Sequence, residues 1–98
     1  MSLIDLENQE IRRQILNLLN ADTDATINDS ILKGELALLG YALASDRLKV
    51  NLWWLQAQGV VVIEVLVSGI LLVTLTDKGE DVACNRTRIQ GVSRGRLA

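Results

Sequence analysis

The chain has 98 residues, 49% of them hydrophobic, which is enough for one small core and too much for a disordered chain. It contains no histidine, no proline and one cysteine, which excludes a Ser-His-Asp triad, a Cys-His pair, a His-ligated metal and an internal disulfide. The formal net charge of −2 is unevenly spread: residues 1–85 hold all 12 acids against 6 cations, while 86–98 hold Arg86, Arg88, Arg94 and Arg96 and no acid.

The first predicted element is a helix over 4–20, where Ile11, Ile15, Leu18 and Leu19 share one face. The start, MSLIDLENQEIRRQ, carries early acids and no apolar run, so it does not read as a signal peptide. Together with the single Cys84, this places the protein in the reducing cytoplasm as an expectation. Residues 21–26 read as a polar loop. Their acids Asp22 and Asp24, with Asp29, fail the calcium-loop pattern because Ile27 stands where its glycine would be and Lys33 where its closing glutamate would be.

A second helix is expected over 29–39, with Asn28 as N-cap, Leu32, Leu36 and Leu39 as its buried stripe, and Gly40 as its stop. After Tyr41–Ala44 comes a third, with Ser45 as N-cap and Leu48, Leu52 and Leu55 inward. Val50, Trp53, Trp54 and Ala57 fall on the side away from that stripe. Val60–Val65 and Ile70–Leu75 read as a hairpin closed at Leu66–Gly69. The run 60–75 is too short for a spanning helix, which needs roughly 20 apolar residues, and Glu64 and Ser68-Gly69 interrupt it, so no membrane association is expected. Both hairpin strands are apolar on both faces, which implies cover on both sides. Thr76 caps a last helix over 77–85, where Cys84 reads as a small packing residue. The tail 86–98 has little to bury and reads as flexible.

The expected class is mostly α with a β-hairpin, in the order α-α-α-β-β-α, a winged helix-turn-helix over 1–85 followed by the basic tail. Leu52-Trp53-Trp54-Leu55-Gln56-Ala57-Gln58-Gly59-Val60 resembles the L-x-x-L-x-x-x-G-hydrophobic end of the third helix in bacterial winged-helix regulators. Leu75-Thr76-Asp77-Lys78-Gly79 is similar to the L-T-x-K-G junction after the wing in the MarR-like group. Ile27–Gly40, Ser45-Asp46-Arg47, Leu52–Val60, Leu75–Ala83 and the basic Gly-Val-Ser-Arg tail together look like small winged-helix proteins of Mu-like phages and prophages, regulator-like by fold. The layout also resembles arsenic-repressor-type sensors, but their Cys and His ligands are not carried over, so neither metal nor cofactor is expected.

Two functions follow as expectations. In the first, a regulator or accessory factor binds double-stranded DNA through Ser45, Arg47, Lys49 and Asn51 in the major groove, with Arg86, Arg88, Arg94 and Arg96 on phosphates. That reading requires Arg47 and Asn51 to be exposed. The acidic body, Asp46 and a wing tip without Lys or Arg weigh against it. In the second, the protein is an interaction module, with Val50, Trp53 and Trp54 as contact surface. The apolar surplus points to a homodimer. No convergent catalytic set is present, so an enzyme is not expected.

Overall fold

A computed structural model of the chain describes residues 2–94. Helix α1 (Leu3–Ala21) begins with a capping box: the Asp5 N–H donates to Ser2 Oγ at 3.1 Å and the Ser2 N–H to Asp5 Oδ2 at 3.3 Å. Its buried residues Ile11, Ile15, Leu16 and Leu19 form one wall of the core. The polar loop turns because the Asp22 carboxylate accepts from the Asp24 and Thr26 N–H groups.

The loop leads into a strand absent from the expected order. Strand β1 (Thr26–Asn28) pairs antiparallel with the later β3, Ile27 opposite Val73, and the Thr26 and Thr74 hydroxyls lie 3.0 Å apart. The order is therefore α-β-α-α-β-β-α, and the expected two-stranded hairpin becomes a three-stranded antiparallel sheet, β1-β3-β2. Three residues carry too short a pattern to announce a strand; pairing with a partner almost fifty residues away makes it one.

Helix α2 (Asp29–Leu38) starts where predicted, its first turn capped by Asn28 Oδ1 accepting from the Ile31 N–H at 2.9 Å. Leu32 and Leu36 are buried. Leu39 is not: it is the C-cap, half exposed, because the chain reverses at Gly40 (φ 96°) and Leu43 takes the inward place. Helix α3 (Ser45–Ala57) has Ala44, not Ser45, at its N-cap, with no side-chain cap. The Ser45 hydroxyl instead accepts from Lys33 Nζ at 3.0 Å. Leu48, Leu52 and Leu55 are buried as expected.

Strands β2 (Val61–Val65) and β3 (Leu71–Leu75) form the hairpin, with Glu64 opposite Leu72 and Ile63 opposite Val73. Leu71 and Val73 of the central β3 are buried, but Val62, Val65 and Val67 face solvent, so the chain alone does not cover both faces of the hairpin. The free edge of β2 is partly blunted: Gln56 of α3 accepts from the Ile63 N–H at 2.7 Å.

Helix α4 (Asp77–Ala83) follows, capped by Thr76 Oγ1 accepting from the Gly79 N–H at 3.0 Å. Gly79 lies so close to the backbone before β2 that a Cβ there would fall on Val60 O and 2.6 Å from Leu75 Cδ1. Cys84, at the end of α4, is exposed rather than packed. Among the described residues no helix is long and apolar enough to cross a membrane.

Residues 89–93 are docked, which differs for that part from the flexible tail over 86–98 that the sequence implies. Val92 is buried and Ile89 half-buried against the core, and the Ser93 N–H donates to Gln9 O at 3.2 Å. The cause lies in α1, whose two consecutive arginines supply the partners that the tail's own sequence lacks.

Candidate functional site

Arg12 and Arg13 sit in the middle of α1 and leave it in different directions, because neighbouring helical residues point about 100° apart. Arg13 is 3% exposed although no carboxylate lies within ion-pair distance of it among the described residues. Its Nη1 donates to Val82 O at 2.9 Å and Ala83 O at 3.2 Å, and its Nε to Ser93 O at 2.7 Å. The guanidinium thus caps the C-terminal end of α4, where unpaired carbonyls and the helix dipole favour a cation.

Arg12 spans three elements. Its Nε donates to Asn51 Oδ1 on α3 at 2.9 Å, its Nη1 donates to Gly91 O at 2.9 Å, and its guanidinium carbon stacks 3.9 Å from the centre of the Trp54 ring. Burial lowers the pKa of both guanidinium groups from the usual arginine value, with Asp5 opposing the shift at Arg12 and Glu10 at Arg13. Both keep their charge, as arginine does in proteins.

The α3 residues expected to read DNA are drawn into the same seam. Asn51 is 1% exposed; besides accepting from Arg12, its Nδ2 donates to Arg47 O at 3.0 Å. Arg47 donates through Nε and Nη2 to Asn8 Oδ1 at 3.1 and 3.0 Å, and through Nη1 to Glu7 Oε1 at 2.9 Å. The exposure that the DNA expectation required of both residues is therefore not found: α1 of the same chain occludes Asn51 completely and Arg47 in large part. Ser45 and Lys49 are exposed on α3. Arg86 is exposed and paired with Asp81 at 2.8 Å and Glu80 at 3.7 Å. Arg88 and Arg94 are exposed, and Arg96 lies outside the described residues.

The three expected contact residues divide. Trp54 is half-buried, with the Arg12 guanidinium over its ring and the backbone of Gly91 against its edge. Gly91 has φ 98°, and a Cβ added there would stand 2.5 Å from Trp54 Cζ2. Val50 (66% exposed) and Trp53 (40% exposed) remain open on the outer face of α3. Beside the seam, an open polar cleft of about 440 Å³ is lined by Asp5, Asn8, Gln9 and Arg12. The sequence reading missed Asn8, Gln9, Arg12, Arg13 and Gly91. Its only available signal was the adjacent arginine pair on an amphipathic helix, whose strap partners lie about eighty residues away.

No family model matches the sequence. Over 87 residues, which are 89% of this chain and 90% of the relative, it is 37% identical to protein gp26 of Escherichia phage Mu. Over 79 residues, 80% of this chain and 76% of the relative, it is 34% identical to a protein of Haemophilus influenzae. Neither relative's name states an activity.

Proposed function

The chain belongs to the family of gp26 of phage Mu, and from that premise we propose that it is a winged-helix module that binds protein, not a DNA reader and not an enzyme. The observation that carries this reading is the state of α3. The position suited to adenine recognition, Asn51, is fully buried, and the position suited to guanine, Arg47, is held by Asn8 and Glu7. Releasing them would strip Arg12 of one partner and Glu7 of its cation. The hairpin that would serve as a wing offers the backbone of DNA no cation; its tip is Val65, Leu66, Val67, Ser68, Gly69 and Ile70. Beside the exposed polar residues Ser45, Asp46 and Lys49, α3 presents to solvent Val50 and Trp53, an aliphatic and an aromatic side chain one turn apart. In this reading that face is the contact surface, and a second copy of the chain is its first partner.

Two measurements on the full chain test the reading. Fluorescence anisotropy with duplex DNA at 20 mM and 150 mM salt is expected to show no binding at either. Tight binding that weakens steeply with salt would return the protein to the DNA-binding class, because that slope counts phosphate contacts. Light scattering after size exclusion is expected to show a dimer that Val50→Asp converts to monomer. A monomeric wild-type chain, or a dimer indifferent to Val50→Asp, would remove this face as the contact.

A further inference from the structure

The chain's own residues 89–93 lie across α1 and α3 in the way a bound peptide would. Their polar contacts with α1 are made through the main chain: Gly91 O accepts from Arg12, Ser93 O from Arg13, and the Ser93 N–H donates to Gln9 O. The segment is a turn, the Val92 N–H donating to Ile89 O at 3.4 Å with Gly91 at φ 98°, so recognition of its main-chain groups asks for that turn and for a glycine at its third position. Side chains matter at three positions, the first being Ile89, half-buried against the core. Position 91 must be small, since a Cβ would strike Trp54, and position 92 is an aliphatic group buried in the core. The resident segment also fits imperfectly, because Ser93 Oγ is buried without a hydrogen-bond partner among the described residues.

We infer that the cleft between α1 and α3, floored by Trp54 and gated by Arg12 and Arg13, is a receptor site for a polypeptide turn carrying an aliphatic residue, any residue, a glycine and an aliphatic residue in that order, and that residues 89–93 are its resident occupant. The inference rests on the protein-binding reading and adds to the Val50–Trp53 face a second site with its own class of partner. The tether through 85–88 gives the resident segment a high effective concentration, so the closed chain resists competitors until the segment is displaced.

The test keeps the full chain and opens the cleft by substitution in the occupant. Gly91→Val places a side chain against Trp54, and Val92→Ser removes the buried aliphatic group while leaving the receptor residues untouched. A fluorescein-labelled peptide of residues 86–94 is titrated into wild type and each variant, with far-UV circular dichroism as the control for fold. The opened chains are expected to bind it at least tenfold more tightly than wild type. A peptide of the same charge carrying Gly91→Val and Val92→Ser is expected to lose that binding. Opened, folded chains that bind no better than wild type, or that bind both peptides alike, would overturn the inference and leave the Val50–Trp53 reading standing. Loss of fold in both variants would overturn it too, by making residues 89–93 an inseparable part of the core. Duplex-DNA binding, by contrast, would overturn the parent reading.

Discussion

At the seam between α1 and α3, two arginines are withdrawn from water and given to backbone carbonyls, whereas at the tip of the β2–β3 hairpin Val65 and Val67 are left in water. The seam buries what is costly to bury and provides nearly every buried group with a partner. The tip leaves the apolar side chains of Val65 and Val67 exposed. Burial of a charge is tolerated where its hydrogen bonds are made, and here they also cap α4 and hold the 91–93 segment. Exposed apolar groups at the tip are tolerated because single valines in water cost little. The seam is therefore built for internal cohesion, and the tip contributes nothing to it.

The largest expected effect comes from breaking the seam at its centre. Arg13→Met removes the guanidinium donor from the carbonyls of Ala83 and Ser93 and leaves Val82 O with the Asn85 N–H, and should cost about 3 kcal/mol in urea unfolding, with a fall in Tm of ~10–20 °C. A loss under about 1 kcal/mol would mean that water replaces the guanidinium there. Next is Gly79→Ala, expected to cost about 2 kcal/mol because the added methyl group meets the Val60 carbonyl, and backbone yields less readily than a side chain. Stability equal to wild type would show that α4 can move away from the start of β2.

Val67→Ser should change stability by less than about 0.5 kcal/mol at low protein concentration. A cost above about 1 kcal/mol that grows with protein concentration would show that a second copy covers the tip, and would erase the contrast with the seam. The smallest effect concerns the start of α1. Asp5 is held below the usual carboxylate pKa, chiefly by its hydrogen bonds with the side chain and then the backbone of Ser2. A depressed folded-state pKa makes its contribution fully present above the unfolded value of about 4 and lost as pH falls through the folded value. The protection factors of the Asp5 and Leu6 amides, exchange rates corrected for the intrinsic base-catalysed rate at each pH, should therefore fall only on acidification below about pH 4 and stay constant between pH 5 and 8. A loss of protection within that upper range would exclude the capping box as the cause.

The helices were legible because their signals are local. Asn28 and Thr76 announce two starts by capping chemistry, and the spacings Ile11–Ile15–Leu19 and Leu48–Leu52–Leu55 mark the inward faces of α1 and α3. Valine-rich runs around Ser68-Gly69 mark the hairpin, and the wheel of α3 leaves Val50 and Trp53 outside, where they are found. The candidate site was legible only in that last part. Arg47 and Asn51 have the residue types of a DNA-reading helix, and nothing near them in the chain says that Asn8 and Arg12 will claim them.

The sequence by itself determined the helices, their inward faces and the hairpin, because caps and hydrophobic periods act over a few residues. Tertiary structure alone decided that Thr26–Asn28 becomes a strand, that Arg13 is buried, that Trp54 lies under Arg12 and Gly91, and that residues 89–93 are held. Each of these depends on hydrogen bonds or stacking between groups roughly 40 to 80 residues apart. A buried polar group takes whichever partner the folded chain brings to it, and no local pattern encodes that choice.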